Sequence, residues 1–243
     1  MPGTDVHPAG WSLLALNEIR TILLDIEGTT TPIEFVHQVL FPYARARVHD
    51  YLEPGDIALL RAEYAAEPRS PDLPAWNPEA YVYWLMDRDR KSTALKALQG
   101  RIWEAGYRAG ELKGKGEVYP DVRPALERWH AAGKTIAIFS SGSVQAQRDL
   151  FANTTAGDLS AFLSAYFDTT TGPKREAISY RKIATALGRS PHDVLFVSDV
   201  AAELDAARAA EMRTALCMRE PESPIPVQNP TPHPRIHSFA ELA

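Results

Sequence analysis

The sequence has 243 residues, 45% of them hydrophobic, and its 26 basic and 31 acidic residues give a formal net charge of −5. A chain of this length and composition can bury a substantial core, and its acidic balance argues against binding to a nucleic-acid backbone as the main role. The single cysteine, Cys217, excludes a disulfide within the chain, and its apolar neighbours predict a buried thiol.

Neither a membrane span nor a targeting segment is predicted. The sequence has no uninterrupted apolar run approaching the roughly 18 residues that a membrane helix needs. No basic leader precedes an apolar run near the start. We therefore expect a cytoplasmic enzyme without a membrane or nucleic-acid partner.

The first predicted element is a short buried strand that ends in two acidic residues. Its apolar part covers residues 22–24, and Gly28 with the threonines after it ends the strand. The side chains of Asp25 and Glu27 point roughly the same way on an extended backbone. Ligands of open α/β sheets bind beyond the carboxyl ends of the strands. The pair is therefore either an acidic strand end or a catalytic pair, one nucleophile or metal ligand and one proton carrier.

Residues 33–115 differ from the rest of the chain in their residue pattern. They are predicted to form an inserted, mainly helical cap domain that could close over a substrate. Apolar residues recur at helical spacing in four stretches, residues 35–41, 58–65, 80–86 and 92–109. The aromatic residues of this insertion are interpreted as its own core. They are Trp76, Tyr81, Tyr83, Trp84, Trp103 and Tyr107. The remaining residues, 1–32 and 116–243, are assigned to the catalytic core.

Predicted strands and helices alternate after residue 117. The helices are expected near residues 122–132, 143–151, 175–187 and 201–211. Because such alternation builds a parallel sheet with helices on its faces, we predict an α/β fold with a doubly wound parallel sheet. Near the end, the prolines of residues 220–234 predict an extended surface segment.

Polar residues also follow the later predicted strands. Ser140 and Ser141 precede a helix whose N-terminus favours anions. Lys174 follows the next strand, and Asp199 with Glu203 follows the one after it, an acidic pair suited to a divalent cation. Taken singly, each has a structural explanation as a helix cap or a solvated side chain. If all of these structural explanations were correct, several successive strand ends would carry polar residues by chance.

This order of acid, acid, hydroxyl, lysine and acid resembles the phosphatase branch of the haloacid dehalogenase superfamily, over residues 20–48 and 117–218. Longer strings, at residues 25–33 through 41–44, 139–147 and 179–183, are similar to the enolase-phosphatase family of the methionine salvage pathway. Glu27 favours that family, because most phosphatases of the superfamily have Asp there. The helical insertion also matches the position of a superfamily cap.

The resemblance implies a role for each candidate residue. Asp25 would attack phosphorus to form an aspartyl phosphate, and Glu27 would protonate the leaving oxygen and then deprotonate the attacking water. The phosphate would be bound by Ser140, Ser141 and Lys174. One Mg²⁺ would be held by Asp25, Glu27 and Asp199. The role of Glu203 stays open, and one possibility is that it only orients the waters on the metal.

The resemblance also implies the reaction and the assembly. The substrate would be 2,3-diketo-5-methylthiopentyl 1-phosphate, which is enolised and then dephosphorylated to an acireductone. The enzyme would be a monomer whose only partner is this small phosphorylated molecule.

Other interpretations stay open at this stage. A phosphatase of the same fold could act on other small metabolites without an enolisation step. A receiver-type signalling domain also uses a phosphorylated Asp and a lysine, but Glu27 and the insertion argue against it, and Glu27 with Asp199 argues against dehalogenation. His37 is interpreted as a packing residue on an apolar helix face rather than as a base.

Overall fold

A computed structural model of the chain describes residues 17–90, 92–219 and 231–242. The chain divides into two compact units, one made of Met1–Ile33 with Gly114–Ala243 and the other of Glu34–Lys113. Among the described residues, no helix combines the length and the apolar character that crossing a membrane requires.

The larger unit is built on a six-stranded sheet in which all neighbouring strands are parallel. The strands are β1 (Thr21–Leu24), β2 (Thr135–Phe139), β3 (Ala165–Phe167), β4 (Val194–Ser198), β5 (Arg213–Cys217) and β6 (Arg235–Ile236). Their order in space is β3-β2-β1-β4-β5-β6, so the chain winds outward from β1 in both directions. The predicted doubly wound parallel sheet is confirmed. The short strand β6 is an addition that the sequence did not predict.

Helices account for most of the remaining regular structure. Those of the first half of the chain are α1 (Ile33–Phe35), α2 (Phe41–Arg45), α3 (Val48–Tyr51), α4 (Pro54–Ala66), α5 (Pro78–Asp87) and α6 (Thr93–Arg108). Those that alternate with the strands are α7 (Val122–Ala131), α8 (Val144–Ala152), α9 (Ala177–Ala186) and α10 (Ala201–Ala209). Short 3₁₀ turns are formed by Ser160–Phe162, Pro191–Asp193 and Phe239–Glu241.

The predicted helix at residues 35–41 is interrupted. Val36–Leu40 form a π-helix between α1 and α2, in which the N–H of Phe41 bonds to the carbonyl of Val36, five residues back. Pro42 follows directly and has no N–H to donate, so the regular α-helical ladder cannot continue through it. The wider turn accommodates that missing donor.

Each unit has a core of its own. In the larger unit, Leu23, Phe139 and Phe196 of the strands pack with Tyr180 of α9 and Leu204 of α10. The smaller unit buries apolar side chains from its own helices. Five of the six aromatic residues predicted for that core belong to it, namely Trp76, Tyr81, Tyr83, Trp84 and Trp103.

The sheet register brings the ends of the strands to one level. Leu24, the last residue of β1, pairs with Ile138 of β2 on one side and Val197 of β4 on the other. Because all three strands run in the same direction, the residues after them emerge at one edge of the sheet. That edge carries the candidate site.

Near the end of the described chain, one prediction is confirmed and another is tested at four residues only. Residues 220–230 of the predicted extended surface segment lie outside the described residues. Of the rest, Pro232 is exposed, whereas His233 is only 2% exposed, and its ring contacts the Thr214 hydroxyl at 2.8 Å and Asp205 Oδ1 at 3.1 Å. Cys217 is buried as predicted, and burial raises the pKa of its thiol to about 12.

Candidate active site

Asp25 lies directly after β1 and is held on both carboxylate oxygens. Its side chain is 5% exposed. The N–H of Ile26 donates to Oδ1 over 2.8 Å, and the hydroxyl of Ser198 donates to Oδ2 over 3.0 Å. The backbone N–H of Asp25 bonds to the Val197 carbonyl at 3.0 Å, so the residue continues the sheet by one position. Asp25 is therefore fixed in one orientation at the edge of the sheet.

The turn after Asp25 is shaped by Gly28. This glycine has a φ of +68°, and a Cβ atom there would lie 2.3 Å from Oδ2 of Asp199. A side chain there would strain the backbone and would require the Asp199 carboxylate to move. The hydroxyl of Thr29 accepts a hydrogen bond from the N–H of Asp199 at 3.1 Å. The turn and the end of β4 are thus fitted closely together.

Lys174 makes two ion pairs inside this edge. Its Nζ lies 2.7 Å from Asp25 Oδ1 and 2.6 Å from Glu203 Oε2, and 11% of its side chain is exposed. Burial alone would lower the pKa of Lys174, but the two carboxylates outweigh burial and raise it above its ordinary value. Lys174 is therefore a permanent cation beside Asp25.

The loop that carries Lys174 is held from helix α9. The hydroxyl of Ser179 donates to the carbonyl of Pro173, and the hydroxyl of Tyr180 donates to the carbonyl of Lys174, each at 2.7 Å. A Cβ atom at Gly172 would lie 2.3 Å from the Ser179 hydroxyl, so the loop needs glycine there. These contacts give a structural role to two residues of the string at 179–183.

Ser140 follows β2 and is buried, whereas Ser141 is exposed. The N–H of Gly142 donates to the Ser140 hydroxyl at 3.3 Å. Ser143 caps α8 by accepting from the N–H of Ala146 at 3.2 Å, so the helix begins where the sequence predicts. The loop therefore presents a hydroxyl and a helix N-terminus at the same edge as Asp25, an arrangement that suits an anion.

Asp199 and Glu203 add negative charge to the site. Burial, and next the charge of Asp25, raise the pKa of each to about 7. The Ser198 hydroxyl also lies 3.4 Å from Glu203 Oε2. Oδ1 of Asp199 is buried and has no hydrogen-bond partner among the described residues. A buried, unpartnered carboxylate oxygen is costly unless a cation or proton satisfies it.

These features fit a bound Mg²⁺ ion. The described part of the chain has no group of three or more His, Cys, Asp or Glu side chains arranged as a complete metal cage. Mg²⁺ does not require such a cage, because it retains waters and binds through one or two carboxylates together with substrate phosphate. Asp25 and the open oxygen of Asp199 provide two carboxylates of the kind required.

The predicted site residues differ in their location and in their exposure to solvent. Asp25, Ser140, Lys174 and Asp199 lie at one edge of the sheet, while the side chains of Glu27 and Ser141 are exposed. His37 belongs to the smaller unit, where its exposed ring meets Phe41 edge-on at 5.4 Å.

Ser198 is the contact that sequence reasoning missed. It is the polar last residue of β4, directly before Asp199, and the residue pattern alone gives it no contact with Asp25. The sequence order of the strands alone does not say that β4 lies beside β1.

Comparison with known proteins gives consistent results. Residues 19–211 match the family model for haloacid dehalogenase-like hydrolases. Enolase-phosphatase E1 of Synechococcus elongatus is 55% identical over 238 residues, which cover 92% of this chain and 98% of that protein. Enolase-phosphatase E1 of Sorangium cellulosum is 49% identical over 207 residues, covering 82% and 88%.

Solved structures extend the comparison to the fold. The UTR4 protein of Saccharomyces cerevisiae has a TM-score of 0.68 and 32% identity, covering 91% of this chain and 98% of that one. CbbY of Rhodobacter sphaeroides, in complex with phosphate, has a TM-score of 0.58 at 20% identity, covering 93% and 96%. The second similarity concerns the fold alone.

Proposed function

The chain belongs to the haloacid dehalogenase-like hydrolases and, within them, to the enolase-phosphatase E1 family, and we propose that it converts 2,3-diketo-5-methylthiopentyl 1-phosphate to an acireductone in methionine salvage. It is accordingly a phosphoric monoester hydrolase. The observation that carries the proposal is the pairing of Asp25 with Lys174 at the edge of the sheet.

Asp25 is the proposed nucleophile. Its carboxylate attacks phosphorus, the bond from phosphorus to the ester oxygen breaks, and an aspartyl phosphate forms. The N–H of Ile26 and the hydroxyl of Ser198 hold its two oxygens, which reduces the reorientation needed before attack. Water then attacks the same phosphorus, releasing inorganic phosphate and restoring the carboxylate.

Lys174 and Ser140 are the proposed phosphate ligands, with Ser141 beside them. The Lys174 ammonium neutralises the charge on the phosphoryl oxygens and forms an ion pair with the Asp25 carboxylate. Its contact with Glu203 fixes the ammonium from the other side. The Ser140 hydroxyl and the start of α8 offer uncharged donors to the same group.

Glu27 is the proposed proton carrier. It follows Asp25 by two residues, and its exposed side chain leaves it accessible to the ester oxygen of a bound substrate. The carboxylic acid gives its proton to the departing oxygen, and the carboxylate then takes a proton from the attacking water.

One Mg²⁺ per chain is the proposed cofactor, held by Asp25, Asp199 and the carbonyl or carboxylate of Glu27. When bound, it supplies positive charge that neutralises the phosphate and polarises a substrate carbonyl. The unpartnered Oδ1 of Asp199 supports this assignment.

We further propose that the helical unit Glu34–Lys113 is the predicted cap over the substrate, because it is inserted directly after the turn that bears Asp25 and Glu27. Action as a monomer and a cytoplasmic location stay predictions.

The direct test supplies purified protein and Mg²⁺ with the diketo ester and follows enol absorbance and inorganic phosphate together. We expect both signals from the wild type and no phosphate from Asp25→Asn. Asp193→Asn is the matched control, because Asp193 lies just before β4, at the opposite end of the sheet. Cleavage of other phosphate esters without action on the diketo ester would instead indicate a general phosphatase of this family.

A further inference from the structure

Arg219 is a buried cation that the proposed reaction does not use. Its side chain is 6% exposed. Its Nε and Nη2 both donate to the carbonyl oxygen of Thr29, over 3.1 and 2.8 Å, and its Nη1 lies 2.7 Å from Asp121 Oδ2. The rings of Tyr119 and Phe239 flank the guanidinium, with centroids 4.4 and 4.5 Å away. A residue so fully engaged fixes the atoms that it contacts.

Thr29 connects Arg219 to the candidate site. Its carbonyl accepts hydrogen bonds from Arg219, and its hydroxyl accepts the hydrogen bond from the N–H of Asp199. Gly28, one residue earlier, approaches the Asp199 carboxylate so closely that a side chain at this position would displace the carboxylate. A shift of Thr29 would therefore alter the position of Asp199 relative to the turn.

Asp121 links Arg219 to residues 238 and 239 near the end of the described chain. Its Oδ2 accepts from the hydroxyl of Ser238 at 2.9 Å and from the N–H of Phe239 at 2.6 Å, in addition to its contact with Arg219. The hydrogen bond that Arg219 itself donates to residues 237–239, to the His237 carbonyl, is long, at 3.4 Å. Its two shortest backbone contacts are both with the turn, which indicates that the turn is what it holds.

We propose that Arg219 is a positioning residue that fixes the Thr29 turn in the geometry in which Asp25 and Asp199 bind Mg²⁺. This inference rests on the proposed function. The guanidinium suits the task because its planar fork directs two donors to one carbonyl and a third to a carboxylate. A lysine ammonium keeps the charge but does not reproduce that fork.

Arg219→Lys is the test variant, and Arg128→Lys is its matched control. Arg128 also donates to backbone carbonyls, those of Phe239 and Leu242 at 2.9 and 3.5 Å, but none of its hydrogen bonds reaches the turn. Both variants retain the positive charge, and both weaken contacts with residues 237–242. Three quantities are measured: the Mg²⁺ dissociation constant by titration calorimetry, the midpoint of thermal unfolding, and kcat and KM for phosphate release.

We expect Arg219→Lys to raise the Mg²⁺ dissociation constant about tenfold or more and to lower kcat by a similar factor, with little change in KM. Arg128→Lys should lower the unfolding midpoint while Mg²⁺ binding and kcat stay at the wild-type level. Wild-type Mg²⁺ affinity in Arg219→Lys would overturn the proposal. Calorimetry needs no turnover, so a wild type that binds Mg²⁺ without acting on the diketo ester contradicts only the proposed function.

A double-mutant cycle with Thr29→Val tests the route of the effect. This substitution removes the hydroxyl that Asp199 uses and keeps the side-chain volume, whereas Thr29→Ser keeps the hydroxyl. We expect Thr29→Val to weaken Mg²⁺ binding and Thr29→Ser to retain the wild-type affinity. The double variant Arg219→Lys with Thr29→Val should bind Mg²⁺ only slightly more weakly than either single variant. If the increase in the Mg²⁺ dissociation constant of the double variant equals the product of the two single-variant increases, Arg219 does not act through Thr29.

Discussion

The Nζ atom of Lys174 lies 2.7 Å from Oδ1 of Asp25, and both side chains are largely buried. At such a distance and in such surroundings, the interaction between the two charges is much stronger than in water. Glu203 shares the same ammonium. One cation therefore compensates two carboxylates at the edge of the sheet, and its removal would leave both without a counter-charge.

Replacing Lys174 with methionine should abolish most of the activity. The side chain keeps a similar length, but the cation that pairs with Asp25 and binds phosphate is lost. We expect phosphate release to fall by about a hundredfold or more. The control is Lys182→Met, because Lys182 is exposed on α9 and donates to the Thr171 carbonyl. Steady-state phosphate release measures both, and equal rates in the two variants would contradict the role of Lys174.

Gly28→Ala separates steric conflict from backbone strain. Gly28 and Gly133 have nearly the same positive φ, +68° and +71°, but a Cβ at Gly133 meets nothing within 4 Å. Each alanine should cost about 1–2 kcal/mol of stability from the left-handed backbone alone. Only Gly28→Ala should also displace the Asp199 carboxylate and weaken Mg²⁺ binding. Thermal unfolding and Mg²⁺ titration of both variants distinguish the two effects, and intact Mg²⁺ affinity in Gly28→Ala would refute the close fit.

Tyr180→Phe tests the support of the lysine loop. Loss of the hydroxyl leaves the Lys174 carbonyl without this donor and should cost about 1 kcal/mol of stability, with a several-fold loss of kcat. Tyr166→Phe is the control, because the buried Tyr166 hydroxyl has no hydrogen-bond partner among the described residues. Urea unfolding and phosphate release measure the pair, and an unchanged kcat in Tyr180→Phe would show that the loop holds Lys174 without it.

Much of this fold follows from local sequence pattern. Each of the strands β1 to β4 is an apolar run that ends in a polar or glycine turn, and a helical spacing follows it. Asp25, Ser140 and Asp199 could be predicted because each lies just beyond such a run, and Lys174 because it ends the turn that follows β3. Parallel strands bring their carboxyl ends to one edge, so position along the chain was enough to suggest that they meet.

Contacts that depend on strand order or on distant segments could not be predicted in this way. Ser198 reaches Asp25 only because β4 lies beside β1, and Arg219 reaches Thr29 across 190 residues of sequence. Each is a polar residue at the end of an apolar run, but the sequence pattern does not show which distant residue it contacts. Strand β6 has only two residues, too few for a period to be visible, and it depends on pairing with β5.

Mg²⁺ binding should weaken as the pH falls below 7. Burial, and next the charge of Asp25, raise the pKa of Asp199 to about 7, so protons compete with the metal for this carboxylate near neutrality. We expect the apparent Mg²⁺ dissociation constant to rise by up to about tenfold per unit between pH 7 and pH 5. Calorimetric titration across this range measures the slope. Asp199→Asn, which cannot ionise, should bind Mg²⁺ weakly and lose most of this dependence.

The same raised pKa predicts the opposite trend for the stability of the metal-free protein. The folded protein binds the Asp199 proton more tightly than the unfolded chain, whose carboxyl keeps the ordinary value of 3.8. The contribution of Asp199 to the free energy of unfolding should therefore increase as the pH falls from about 7 towards 4, and be lost as the pH rises again. Urea unfolding with a chelator, compared between wild type and Asp199→Asn, isolates this contribution. If the difference in stability between the two proteins does not change with pH over that range, Asp199 is already ionised in the folded state, and the competition expected for Mg²⁺ does not arise from it.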